Sequence, residues 1–395
     1  MICSTDIHAG TKARTGDAVH LAQALQATRE RTLGLMDAWE SALPTLKMPY
    51  DPALNLPLWE WGHIAWFQDW WIGRNPQRAL GTHYDSRCPR LPSRLAHADA
   101  LYDSSQVAHA TRWHLPLPDL QATRAYLATV QQDTLALLRG MPQDDDALYF
   151  WRLVLLHEAM HNEAAVYMAQ ALGLAIPPAL AWRTGIPSVS QPTQAGELAV
   201  PAQRWLLGSG HKKDTSAPGF AFDNELVGQA LELSAFQIDT AAVTWARYLP
   251  FLEATGHAAP RHVRLWQGQW QQRHFGQWQA LDPHAAAVHL SYADAQAWCH
   301  WAGRRLPTEA QWECAAATLS GFAWGEVWEW TASGFNAYPG FVAHPYADYS
   351  APWFGTHQVL RGACAAPSSH MVAVRYRNFF TPQRQDIFSG FRSVG

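Results

Sequence analysis

The sequence is short of charge. Only 16% of its residues are Asp, Glu, Lys or Arg and the formal net charge is −4. No basic stripe exists to neutralise a phosphate backbone, so nucleic acid is not an expected partner. Cysteine is sparse as well: Cys3, Cys88, Cys299, Cys314 and Cys364 are odd in number, far apart and without a CxxC pair. That pattern excludes a disulfide framework and a thiolate zinc site, and it fits a reducing cytoplasm. No uncharged apolar run reaches the roughly 18 residues of a membrane span. The opening residues MICSTDIHAGTKARTG lack the apolar stretch of an export signal. The expectation is a cytoplasmic protein without membrane contact. Internal repeats and low-complexity tracts are missing too, and nothing calls for an obligate protein partner.

What is abundant is apolar and aromatic. Apolar residues make up 48% of 395 residues, more than one hydrophobic core usually supports, so two domains are expected. The chain has 21 Trp and 19 His. Most of the tryptophans can be assigned to the core, but so many can also wall a pocket for a cationic or aromatic ligand.

Four stretches carry apolar residues at three-to-four spacing: AVHLAQALQATRERTLGLMDAWESAL, LPLWEWGHIAWFQDWWIG, LPDLQATRAYLATVQQDTLALLRG and DALYFWRLVLLHEAMHNEAAVYMAQALG. They predict a four-helix bundle over 17–175. The stretch 176–200 is rich in Pro, Gly, Ser and Thr and reads as a linker. From 201 to 395, short apolar runs alternate with long irregular intervals, and helices are expected near Val243–Thr255 and Ser291–Trp301. The fold class is α+β, with a helical bundle followed by a loop-dominated α+β domain.

In LLHEAMHNEA, His157 and His161 are four apart on a helical segment and project from one face, so both can grip one metal ion. The same letters spell H-E-x-x-H, which keeps a zinc peptidase with Glu158 as general base in view. The downstream extension that such enzymes use is missing. Glu163 lies about 200° around the helix from His161, which suits a supporting carboxylate better than a ligand. A third donor must come from another helix, and His63 in LWEWGHIAWFQDWW is the candidate, although a histidine there can also be an ordinary core residue. Three imidazoles suit iron(II) and zinc(II) alike.

LPLWEWGHIAWF followed by LLHEAMHNE resembles the DinB-like bundle of the sulfoxide synthases of ergothioneine biosynthesis. The second half is similar to the formylglycine-generating-enzyme-like, C-type-lectin-like domain of those proteins. The segments that carry this likeness are GFAFDNE, LSYADAQAWCHWAGRRLPTEAQWECAA, GEVWEWTAS, VLRGACA and YRNFFTPQRQDIFSGFR. Formylglycine-generating enzymes themselves have a paired-cysteine copper site late in this domain, where this chain has only Cys364. The resemblance implies iron(II) held by His63, His157 and His161. It also implies O2 as co-substrate and oxidative attachment of a chalcogen to C2 of the imidazole of hercynine, the Nα-trimethylated histidine betaine. It implies a hercynine contact at Asn378, with Phe379, Phe380 and Arg384 in the same motif, and a tyrosine that donates a proton or electron, for which Tyr338, Tyr346, Tyr349 and Tyr376 are the candidates.

Three departures concern the donor. The arginine-rich loop that receives the carboxylates of γ-glutamylcysteine in many relatives is replaced by YDSSQVAHATRWHLPLP, which keeps only Arg112. An acidic donor contact in the last motif has become Phe380, beside Phe379, and a glutamine ahead of the second helix histidine is Met160. Fewer cationic contacts point to a donor of little negative charge and hence to the selenoneine synthase branch, in which a selenosugar supplies selenium. The alternative is a sulfoxide synthase using cysteine or γ-glutamylcysteine. A zinc hydrolase and a non-catalytic binding module complete the set.

Overall fold

The computed structural model describes residues 2–182, 196–210 and 219–395; residues 183–195 of the expected linker lie outside the described residues. Helix α1 (Ser4–Thr15), ahead of the expected bundle start, is followed by α2 (Ala18–Ala42), α3 (Pro57–Gln68), the short α4 (Ala98–Tyr102), α5 (Leu120–Leu138), α6 (Asp145–Leu172) and the single turn α7 (Pro178–Ala181). Asp17, Asp119 and Asp144 each accept a hydrogen bond from the backbone N–H three residues on, so α2, α5 and α6 begin where the sequence supplies a capping carboxylate. Helix α6 ends at Gly173, whose φ of 74° lies in the left-handed region that glycine adopts without strain. Helix α3 starts on Pro57 and passes into a wider π turn over Asp69–Gly73, in which Trp71 stacks on Phe150 of α6 with ring centres 5.1 Å apart. Leu21, Leu25, Leu35 and Trp39 of α2 and Leu155, Leu156 and Val166 of α6 are among the fully buried residues of the bundle core.

The second half is sheet-rich. Strands β1 (Glu197–Val200), β2 (Gln203–Leu207), β3 (Gln229–Leu233) and β4 (Phe236–Asp239) lead to α8 (Trp245–Thr255) and then to β5 (Val263–Trp266), β6 (Gln269–His274) and β7 (Gln277–Ala280). After α9 (Tyr292–Trp301) and α10 (Glu309–Thr318) come β8 (Trp328–Gly334), β9 (Gln358–Gly362), β10 (Asn378–Phe380) and β11 (Ser389–Gly390). The sheets are β1-β4, β2-β3, β5-β6-β7 and a central β10-β9-β8-β11, in which only β11 runs parallel to its neighbour. The architecture is the expected α+β arrangement, a helical region followed by a sheet-rich domain.

Helix α10 was not among the expected elements. Every residue from Glu309 to Ala315 is buried, and its polar residues Glu309, Gln311 and Glu313 alternate with apolar ones, so no amphipathic helical period can be read there. Its start is set locally by a capping box between Thr308 and Gln311. Buried Arg–Glu pairs tie the irregular segments together: Arg361 with Glu313, Arg377 with Glu309 and Arg392 with Glu329.

Helix α6 is the spine shared by both halves. Trp328 Nε1 of β8 donates to Glu163 Oε1 at 2.6 Å, and Tyr149 Oη pairs with His344 Nδ1 at 3.1 Å. Gln170 Nε2 donates to the Arg273 carbonyl at 2.7 Å. The sheet-rich half is thereby held against the helix that carries two of the three histidines. Among the described residues, no helix is long and apolar enough to cross a membrane.

Candidate metal centre

The spacing of His157 and His161 on α6 places both rings on one face, and their Nε2 atoms lie 3.1 Å apart. His63 of α3 meets them from the facing helix: one nitrogen from each of the three rings falls within 4.8 Å of the others, the sole such group among the described residues. Two rings are held from behind. His63 Nδ1 faces the Tyr102 carbonyl at 2.8 Å, and His161 Nδ1 pairs with Glu60 Oε2. Such partners place the proton on Nδ1 and leave Nε2 as the donor. Gly62 permits the first contact, because a Cβ there would fall 2.2 Å from the Tyr102 ring.

Burial, followed by the neighbouring His161, lowers the pKa of His63 to about 3 and that of His157 well below its ordinary value. Both are therefore neutral near pH 7, the form that binds a metal. Burial alone would raise Glu60, but its electrostatic and hydrogen-bond contacts with His161, helped by the charge of Arg112, outweigh it and hold the carboxyl below its usual range. Three imidazoles, two of them backed by acceptors, fit a divalent first-row metal with positions left for exogenous ligands.

The walls are aromatic. Phe67 stacks on His157 with ring centres 3.5 Å apart, and Trp59 on His63 at 4.8 Å. Tyr346, from the sheet-rich half, meets His157 edge-on at 6.2 Å and Phe67 at 4.9 Å. His63 and His157 are buried, whereas the side chain of His161 retains 19% exposure, so the cluster opens on that side.

Neither glutamate of α6 joins the histidines. Glu158 is clamped by Arg29 at 2.7 and 2.9 Å and by Thr32 at 2.6 Å. A carboxylate committed to a guanidinium on α2 is not available as the general base of a peptidase. Glu163 accepts from Trp328 and, at 3.2 Å, from Cys364 Sγ.

A model of the sulfatase-modifying factor enzyme 1-like domain matches residues 188–326 and 319–395, more than half of the chain. The hercynine oxygenase of Mycolicibacterium smegmatis is 30% identical over 442 residues, covering 94% of this chain and 97% of the relative. The chain belongs to the hercynine oxygenase family. The family's representative from Mycobacterium tuberculosis is likewise 30% identical, over 95% of this chain and 97% of its own length. The formylglycine-generating enzyme of Streptomyces coelicolor is 26% identical and covers 54% of this chain.

In this hercynine oxygenase family member the remaining candidate residues fall into two groups. Met160, beside His161, receives both the Tyr349 hydroxyl, at 3.8 Å, and the Tyr376 hydroxyl, at 3.5 Å, on its sulfur. The two hydroxyls are 3.1 Å apart, and Tyr349 packs against Tyr346 and Phe379. Arg384 lies over Phe380 and against Tyr167, with its guanidinium paired to Asp386 at 2.6 Å. Asn378, at the start of β10, accepts the Phe379 backbone N–H.

Tyr338 and Arg112 sit apart from this opening. Tyr338 donates to Glu309 at 3.1 Å under Arg377, beside a separate cleft of about 540 Å³ between the β2-β3 hairpin and α10. Arg112 is buried over Trp59. Glu60, Phe67 and Tyr102 were not among the candidates from sequence. Glu60 had a local signal, since it precedes His63 by three residues and so shares its helix face.

Proposed function

We propose that this protein is a non-haem iron(II)- and O2-dependent enzyme that joins a chalcogen to C2 of the hercynine imidazole. The carrying observation is the convergence of His63, His157 and His161, with Glu60 and Tyr102 behind them, in a member of the hercynine oxygenase family that spans 97% of its relative's length. Bound iron(II) would supply the positions at which O2 and the chalcogen donor are brought together. Tyr346 is the proton donor of the site: it is the tyrosine whose ring meets His157, and burial raises its pKa, so its proton is held until the reaction draws on it. Phe67, Tyr346, Tyr349 and Phe379 offer ring faces for a trimethylammonium group. Asn378, next to Phe379 in β10, is the amide for the hercynine imidazole.

The donor is a selenosugar. Arg112, the one arginine kept from the loop that receives a carboxylated donor, is buried against Trp59, and Arg384 of the last motif is paired to Asp386. Met160, Phe379 and Phe380 offer soft and apolar contacts instead. Cysteine or γ-glutamylcysteine is the second reading, favoured by family membership. Anaerobic loading with iron(II), then mixing with O2, hercynine and each donor in turn, tests both. A selenium-bearing product with kcat/KM highest for the selenosugar is expected. A preference for γ-glutamylcysteine reverses the donor assignment, and no product with any donor removes the function.

A further inference from the structure

Two lines of contact leave Arg112 and end on two different histidines. Along the first, Arg112 Nη1 donates to Asn55 Oδ1 at 2.8 Å and Asn55 Nδ2 donates to Glu60 Oε1 at 2.5 Å, while Glu60 Oε2 accepts from His161 Nδ1. Along the second, the Arg112 guanidinium lies 3.6 Å from the centre of the Trp59 ring, and Trp59 stacks on His63 with an interplanar angle of 10°. The C-terminal end of α4, ahead of the loop that carries Arg112, holds the same two side chains by its backbone: Trp59 Nε1 donates to the Leu101 carbonyl, and the Tyr102 carbonyl faces His63. Arg112 is 9% exposed, and Nη2 donates to the Val107 carbonyl at 3.4 Å.

We infer that Glu60 and Arg112 are positioning residues for the metal centre, a role that rests on the three-histidine reading above. A carboxylate on Nδ1–H fixes the tautomer of His161 and makes its Nε2 a stronger donor. A carboxylate this deeply buried needs a cation in the same network to offset its loss of water. Asn55 joins the two in the one orientation that satisfies both, with its carbonyl toward arginine and its amide toward glutamate. The loop arginine therefore acts inward on the metal rather than outward on a donor carboxylate.

The test is the affinity of the full-length chain for Co(II) and Fe(II), measured anaerobically by competition with a chelating dye, with the visible absorption of bound Co(II) as a second readout. Glu60→Gln should weaken metal binding by about 10- to 100-fold and change the Co(II) spectrum. Arg112→Gln should weaken it by a smaller factor and leave the KM for the donor unchanged. The double variant should fall short of the product of the two losses, because both act partly through one chain of contacts. Arg112→Lys keeps the charge without the fork to Asn55; it should give an intermediate affinity and serves if Arg112→Gln does not fold. Wild-type affinity and spectrum in these variants would overturn the inference. So would a raised donor KM in Arg112→Gln at unchanged metal affinity. A wild-type chain that binds neither metal overturns the inference and the three-histidine reading together, whereas intact metal binding without product removes only the proposed reaction.

Discussion

In the helical half, His63, His157 and His161 bring one ring nitrogen each to within 4.8 Å of the others, and a carbonyl and a carboxylate hold two of the rings from behind. In the sheet-rich half, His262 and His289 also meet in the interior, edge to face with ring centres 4.6 Å apart. There, His289 Nδ1 faces the carbonyls of Gln385 and Ile387, neither nitrogen of His262 has a hydrogen-bond partner, and no third ligand completes a set among the described residues. Burial depresses both groups alike: His63 and His289 to about 3 and His262 to about 2. Burial thus makes an imidazole neutral wherever it occurs. Convergence, with acceptors placed behind the rings, is what separates a candidate metal centre from a pair of core histidines.

The largest effect should separate the two clusters directly. His157→Ala should abolish both bound iron and turnover, whereas His262→Ala should leave iron content at the wild-type level; metal analysis of the purified proteins decides. Iron retained in His157→Ala would erase the distinction. Next, Tyr346→Phe should lower kcat by about 10²- to 10⁴-fold, as expected for loss of a proton donor. Tyr338→Phe, in its separate cleft, should leave kcat unchanged, and equal losses in steady-state assays would contradict the placement of Tyr346 at the site.

A third effect concerns stability rather than chemistry. Glu313→Gln leaves the fully buried Arg361 without its counter-charge, which should cost about 3–5 kcal/mol in urea unfolding. Near neutral pH the smallest effect is that of acid. His262 and His289 have folded pKa values below the ordinary 6.5, so the unfolded chain takes up protons first. Their contribution to stability is complete above pH of about 6.5 and is lost as pH falls toward about 3. His262→Leu should flatten that slope in denaturation midpoints measured across this range; an unchanged slope would show that the cluster does not govern acid sensitivity.

Much of the helical half is legible in the amino-acid order, because an amphipathic period and an aspartate cap are local signals: Asp17, Asp119 and Asp144 mark three helix starts directly. Helix α10 is illegible for the opposite reason, being buried on every side from Glu309 to Ala315, polar residues included. The π turn after Gln68 leaves no trace in the apolar pattern, which runs unbroken through Asp69–Gly73. At the site, the four-residue step between His157 and His161 can be read, as can a candidate third histidine. The four tyrosines cannot be ranked from sequence, since Tyr346 reaches His157 from a loop far along the chain.

The sequence alone therefore determined the order of helical and sheet-rich regions, the shared face of His157 and His161, and the family motifs, all of which depend on residues near one another in the chain. The tertiary structure decided that His63 joins the pair, that Glu60 backs His161 across 101 positions, that Glu158 turns away to Arg29, and that Arg112 points inward over Trp59. The reason is physical. A side chain's direction on its own helix follows from the helical repeat, but the partner it meets depends on how separate elements pack, and no local pattern encodes that.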